Sequence, residues 1–187
     1  MHKFSPHNAA KLENPERYEL LQPQKSLEKL GLRKGMCFVD IGAGTGFFSR
    51  AASEIVSTKG IVYALDMSEE MVEIVKKNGV PDNMRVMLSA EYRLPLPDAL
   101  ADVSLLSTVL HENTDVKKLL AEAARVTKSS GKIVIIEWKK QEEEMGPPKD
   151  ERLGQDELVP QLSSFDILDQ GDLTGSHYYI VLGKSHS

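Results

Sequence analysis

Cysteine is almost absent: Cys37 is the only one in 187 residues. A disulfide framework and a cysteine-rich metal site are therefore excluded, and Cys37, inside an apolar stretch, reads as a core residue. Long apolar runs are missing too. The longest fully aliphatic run is Ile133 to Ile136, and no apolar segment follows Lys3, so neither a signal peptide nor a membrane span is expected. Basic residues do not dominate: a formal net charge of −5 leaves no electrostatic footprint for a nucleic acid. No internal repeat and no second core are visible. The expectation is one cytoplasmic domain without a metal, long enough to bury roughly 70% of its unfolded surface.

The most informative stretch is Val39-Asp40-Ile41-Gly42-Ala43-Gly44-Thr45-Gly46-Phe47. Its apolar lead, Cys37-Phe38-Val39, predicts the end of a buried strand. Three glycines at alternate positions permit a tight turn and let a ligand approach the bare backbone. Phe47, Phe48, Ala51, Ala52 and Ile55 then recur at helical spacing, so a helix opens directly behind the turn. Strand, glycine turn and helix N-terminus together form a nucleotide-binding start in an open α/β sheet.

Residues 1–30 read as an N-terminal helical arm, 35–138 as the ligand-binding core and 139–187 as a C-terminal loop with antiparallel strands. In the arm, Asn14-Pro15-Glu16-Arg17 is a helix start, and Pro23 separates it from a second short helix carrying Leu27 and Leu30. Packing against the sheet is one reading of the arm; a lid, with Tyr18 or His7 facing a substrate, is the other. In the core, Ile61–Asp66 predicts the second strand, and Ser68 caps a helix whose first turn holds Glu69 and Glu70. Met84–Ser89 is a third strand, followed by the proline-punctuated loop Leu94-Pro95-Leu96-Pro97-Asp98. Ala101–Thr108 makes the fourth, and Ser129-Ser130-Gly131 turns into a fifth, Lys132–Trp138. Such alternation argues for a parallel sheet covered on both faces. Phe165–Asp169 and Tyr178–Leu182 predict two strands with too short a link for a crossover, so they run antiparallel.

Asp66 ends the second strand 20 residues after Gly46, where a carboxylate can accept both ribose hydroxyl protons. The same residue can instead cap the next helix. A ribose acid fits NAD and S-adenosylmethionine alike, but the dinucleotide fingerprint is G-x-G-x-x-G and here the glycines alternate strictly. Asp40, just before the turn, is a poor neighbour for a pyrophosphate and suits the cationic amino group of a methionine moiety.

The run Val39 to Gly46 resembles the first motif of class I S-adenosylmethionine-dependent methyltransferases. The likeness continues in register from about Gly35 to Trp138 and is nearest the subgroup that includes ubiquinone, menaquinone and small-molecule methyltransferases. It implies a Rossmann-like, seven-stranded, mostly parallel sheet with an antiparallel C-terminal strand and helices on both faces. The cofactor it implies is S-adenosyl-L-methionine, with S-adenosyl-L-homocysteine as product. Carried over by position, Asp40, Gly42, Ala43, Gly44 and Gly46 seat the methionine end, Asp66 resembles the ribose-binding acid, and Met67 the residue packed on adenine. Ser89-Ala90-Glu91 and the following loop resemble the segment closing over adenine. Thr108 to Glu112 is similar to the segment facing the methyl group. Ser89 stands where many relatives carry an aspartate, a neutral and weaker partner for the adenine amino group. The single cysteine also departs from arsenic-methylating relatives.

Methyl transfer from a sulfonium mainly requires that nucleophile and methyl be held in line. A base is also needed when the nucleophile is a hydroxyl or an acidic carbon. His111, at the carboxyl end of the fourth strand, is the candidate base; the alternative is a histidine that caps the next helix or bonds Glu112. Glu137, Lys139 and Lys140 border the same crevice. The expected activity is methyl transfer to a small molecule by a monomer or homodimer. A catalytically silent binding module and, less well supported, a nicotinamide oxidoreductase remain as alternatives.

Overall fold

The computed structural model describes residues 14–185. Among them, seven strands form one sheet: β1 (Cys37–Ile41), β2 (Ile61–Asp66), β3 (Met84–Leu88), β4 (Ala101–Ser107), β5 (Thr127–Trp138), β6 (Phe165–Asp172) and β7 (His177–Lys184). Their order is β3-β2-β1-β4-β5-β7-β6. The first five pair in parallel. Only β7 runs against the others, inserted between β5 and β6. This is the expected fold class.

Helices α1 (Pro15–Leu21), α2 (Pro23–Lys29), α3 (Phe47–Val56), α4 (Glu69–Lys77), α5 (Val116–Val126) and the single turn α6 (Gln155–Leu158) cover the sheet. Residues alternating along the strands divide the core in two. Phe38, Val62, Val103 and Val134 pack with Leu27, Phe48 and Val56 on one face. Val39, Ile41, Leu65 and Leu106 pack with Leu119, Leu120 and Leu162 on the other. All five residues of β1 are buried, as expected for a central parallel strand.

Local chemistry accounts for the element ends. Asn14 Oδ1 accepts from the Glu16 N–H at 3.0 Å and starts α1. Ser68 Oγ accepts from the Met71 N–H at 3.3 Å and starts α4. One expectation needs correction. β5 starts at Thr127, not Lys132, because Thr127 already pairs with Ala101 before the register jumps to Val103↔Lys132. Ser129-Ser130-Gly131 lies within this irregular strand rather than before it. A Cβ on Gly131 would stand 2.7 Å from Thr127 Cγ2, which explains the glycine at the kink.

Candidate active site

The carboxyl ends of β1, β2, β4 and β5 gather at one edge of the sheet, where ligands of open α/β folds bind. There β1 leads into the glycine turn. Gly42, Gly44 and Gly46 hold φ values of +76°, +56° and +87°. A Cβ on Gly42 would stand 2.6 Å from Val109 Cγ2, so the segment after β4 packs directly on the turn. The N–H groups of Gly42 and Ala43 donate to the Leu65 carbonyl at 2.8 and 2.9 Å.

Asp66 ties the turn to β2. Its Oδ2 accepts from the Gly44 N–H at 2.8 Å, and its Oδ1 accepts from the Ser68 N–H at 2.9 Å. The Met67 N–H is a third backbone donor to the same carboxylate, which thus orders both the turn and the start of the next segment. Burial pushes the Asp66 pKa up, against these backbone hydrogen bonds. Asp40 is 2% exposed, and the Ser49 hydroxyl donates to its Oδ2 at 2.5 Å. Burial drives its pKa up to about 6; the Ser49 bond and Arg17 oppose the rise and Asp66 adds to it.

The arm reaches this point through α1. The Arg17 guanidinium lies 4.3 Å above the Phe47 ring, and the Tyr18 ring centroid is 4.4 Å from that of Phe47. The helix therefore rests on the first residue after the glycine turn; His7 lies outside the described residues. Met67 is 46% exposed, beside Asp66 and not in the core. The Ser89 N–H donates to the Asp66 carbonyl at 2.9 Å, and Ala90 pairs with Arg93 in an isolated bridge, so 89–91 leaves β3 next to Asp66. Leu94 and Leu96 are buried while Pro95 and Pro97 are exposed. Arg125 fixes this loop, donating to the carbonyls of Leu96 (2.9 Å) and Leu94 (3.1 Å) and pairing with Glu122 and Asp98.

Thr108 follows β4 with φ +53°, a strained conformation for a β-branched residue of the kind that concentrates at ligand sites. His111 comes next, on a 3-10 turn (Leu110–Glu112). Its side chain is 7% exposed, and its Nδ1 lies 2.9 Å from Glu137 Oε2. Glu137 itself is fully buried. Burial disfavours the imidazolium, but the carboxylates of Glu137, Glu112 and Glu151 outweigh it, and the His111 pKa is raised. Trp138 closes this side, its ring 3.9 Å from that of His177 and 4.9 Å from the Arg152 guanidinium.

Comparison with known proteins decides the family. The model of a methyltransferase domain family matches residues 39–135, more than half of the chain. The chain belongs to the class I S-adenosylmethionine-dependent methyltransferases. The crystal structure of such a methyltransferase from Aquifex aeolicus is 34% identical, covers 96% of this chain and 98% of its own, and superposes with a TM-score of 0.91. Ubiquinone/menaquinone biosynthesis C-methyltransferases are also similar. That of Marinomonas sp. is 29% identical over 67% of this chain and 51% of its own length. That of Vibrio parahaemolyticus is 32% identical over 59% and 44%. The chain thus spans about half the length of the curated relatives it matches. The [4+2]-cyclase SpnF, 17% identical with a TM-score of 0.71, shares the fold alone. As a member of the family the protein is an enzyme that uses S-adenosylmethionine and releases S-adenosylhomocysteine, which sets aside the nicotinamide reading.

The residues present fit that cofactor. Among the described residues the buried hydroxyls of Thr45 and Ser107, at the turn and the end of β4, have no hydrogen-bond partner, so the described fold alone does not satisfy them. Two contributors were missed or underrated in the sequence. Arg17 carried no signal beyond its place in a helix start. Glu137 carried one: a carboxylate inside the apolar run Ile133–Trp138 must be paired if it is buried.

Proposed function

We propose that the protein methylates a carbon of a small, electron-rich aromatic alcohol such as a hydroquinone, with His111 as the general base. The observation that carries the reading is the His111–Glu137 contact of 2.9 Å at the carboxyl end of β4, beside the segment that packs on the glycine turn. The names of the quinone-biosynthesis relatives support the acceptor class.

When bound, S-adenosylmethionine supplies an electrophilic methyl carbon and a neutral thioether leaving group, so the acceptor must provide an electron pair and shed a proton. A quinone ring is electron-poor; its reduced hydroquinone, once an O–H proton is lost, carries electron density on the adjacent ring carbon. His111 Nε2 takes that O–H proton; once the ring carbon carries its new methyl group, that carbon loses its hydrogen as a proton and the oxygen is reprotonated, which restores the aromatic ring. On the cofactor side, the Gly42–Gly46 backbone and Asp40 hold the methionine end, with Arg17 above them on α1. Asp66 accepts from the ribose hydroxyls. Met67 lies against adenine, and Ser89, Ala90 and Glu91 line its edge. Thr108 borders the methyl position. Positioning of this kind is worth up to roughly 7–11 kcal/mol, and a base typically adds about 10²–10⁴ in rate.

The test is methyl transfer from isotopically labelled cofactor to a panel of 1,4-naphthoquinone, its reduced form 1,4-dihydroxynaphthalene and simple phenols. Label on a ring carbon of the reduced compound supports the reading. Transfer confined to amines or thiols in a parallel panel would overturn it.

A further inference from the structure

We propose that Glu137 is the positioning residue of this site: its buried carboxylate holds the His111 imidazole with the proton on Nδ1 and the lone pair on Nε2. The inference rests on the reading of His111 as the base. A carboxylate with no exposure, at the end of the aliphatic run of β5, is tolerated only if its lone pairs are filled. They are filled unequally. Oε1 accepts from the Leu110 N–H at 2.8 Å and lies 3.3 Å from the His111 N–H, which would be enough to cap the 3-10 turn, and it stands 3.2 Å from His111 Nδ1. Oε2 is directed at His111 Nδ1 at 2.9 Å, with the Trp138 N–H at 3.3 Å.

A carboxylate only accepts hydrogen bonds, so the ring nitrogen facing it carries the hydrogen. The neutral imidazole then has its lone pair on Nε2, and the ring cannot rotate without breaking the short contact. Backbone and side chain of His111 are gripped by the same carboxyl group, which fixes the ring relative to Thr108 and the glycine turn. Among the described residues, the other charged or titratable groups facing this pair are Glu112, whose Oε1 is 3.8 Å from Nε2, Glu151 from the 3-10 turn Lys149–Glu151, and the Tyr178 phenol beside Glu137.

The arrangement narrows the acceptor. A lone pair held on Nε2 is of use only to a nucleophile that must lose a proton, such as a phenol, enol or carbon acid; a tertiary amine or thioether needs no base. In the step, the acceptor O–H bond breaks, its electron pair stays on oxygen, and the proton forms the Nε2–H bond. Nδ1–H remains on the ring, and the Glu137 carboxylate faces the resulting imidazolium until the proton passes to solvent.

Nitrogen-15 NMR of the imidazoles in the full chain, saturated with S-adenosylhomocysteine and titrated from about pH 5 to 9, reads the tautomer directly. The expected result is a His111 with Nδ1 protonated throughout and Nε2 titrating above 6.5. In Glu137→Gln the amide can donate to Nδ1, so the neutral ring should move its proton to Nε2 and titrate lower. Turnover of reduced 1,4-dihydroxynaphthalene should then fall roughly 100-fold in kcat with KM for the cofactor unchanged. A wild-type lone pair on Nδ1, or a titration unmoved by Glu137→Gln, would overturn the proposal. The wild-type spectrum decides even if the variant does not fold. Full turnover by His111→Ala with the wild-type tautomer as expected would remove the base itself, and with it the positioning role; His111 essential with the wrong tautomer would remove Glu137 alone.

Discussion

Replacing Asp66 by alanine separates its two tasks. In the folded protein the carboxylate accepts from the Gly44 and Ser68 N–H groups at 2.8 and 2.9 Å and from the Met67 N–H. In the proposed complex it also accepts from the ribose hydroxyls. Hydrogen bonds to a charged group are worth about 1.5–3 kcal/mol each. The ribose pair therefore represents roughly 3–6 kcal/mol gross, and competition from water at this half-buried edge reduces it to about 2–3 kcal/mol. Asp66→Ala should weaken S-adenosylhomocysteine binding about 30- to 150-fold by titration calorimetry. The side-chain amide of Asp66→Asn offers one oxygen where two are used, and its nitrogen accepts no hydrogen bond, so that variant should lose nearly as much. The thermal midpoint without ligand should fall by only a few degrees, because the lost backbone bonds face partly accessible N–H groups. A dissociation constant within threefold of the wild type would refute the ribose assignment and leave Asp66 as a turn and helix cap.

Asp40 should leave a mark on the pH dependence of stability. The folded group keeps its proton to about pH 6 while an unfolded aspartate releases it near 4. The native state therefore binds more protons in that window, and stability falls as pH rises through it, by about 2–3 kcal/mol in all. Asp40→Asn should remove this slope and raise the thermal midpoint at pH 7 but not at pH 4, while weakening cofactor binding; an unaltered slope in melting scans contradicts the assignment. Gly42→Ala combines a φ of +76° with a Cβ 2.6 Å from Val109. It should cost about 2 kcal/mol, or roughly 4–8 °C in the thermal midpoint, and a midpoint equal to wild type would show that the turn relaxes freely. Arg125→Ala leaves the buried Glu122 carboxylate without its guanidinium partner and frees the 94–98 loop. A loss of about 2–4 kcal/mol in urea unfolding is expected, and a change below about 0.5 kcal/mol would mean that the loop is held by Leu94 and Leu96 alone.

Most of the sheet was legible because β1, β2, β4 and β5 are apolar runs with turn residues between them, and because Ser68 and Gly79 bracket α4 at the expected positions. The glycine turn and Asp66 were legible as a pair through spacing alone. Other features depend on tertiary contacts that periodicity does not encode. The early start of β5 rests on the pairing of Thr127 with Ala101 across the sheet. The place of β7 between β5 and β6 rests on tertiary pairing, since hydrophobic alternation does not say which strand a returning one joins. Arg17 and Phe47 lie far apart in the chain and meet only when α1 folds over the turn. Glu137 and His111 likewise meet only because β4 and β5 are neighbours.

Amide NMR of the full chain titrated with S-adenosylhomocysteine locates the cofactor seat residue by residue. Saturable shifts are expected at Gly42, Gly44, Gly46, Asp66, Met67, Ser89, Ala90, Glu91, Thr108 and His111, with little change elsewhere. Shifts centred instead on the groove of about 350 Å³ beside α5, lined by Lys117, Ala121, Gln161 and Phe165, would contradict it.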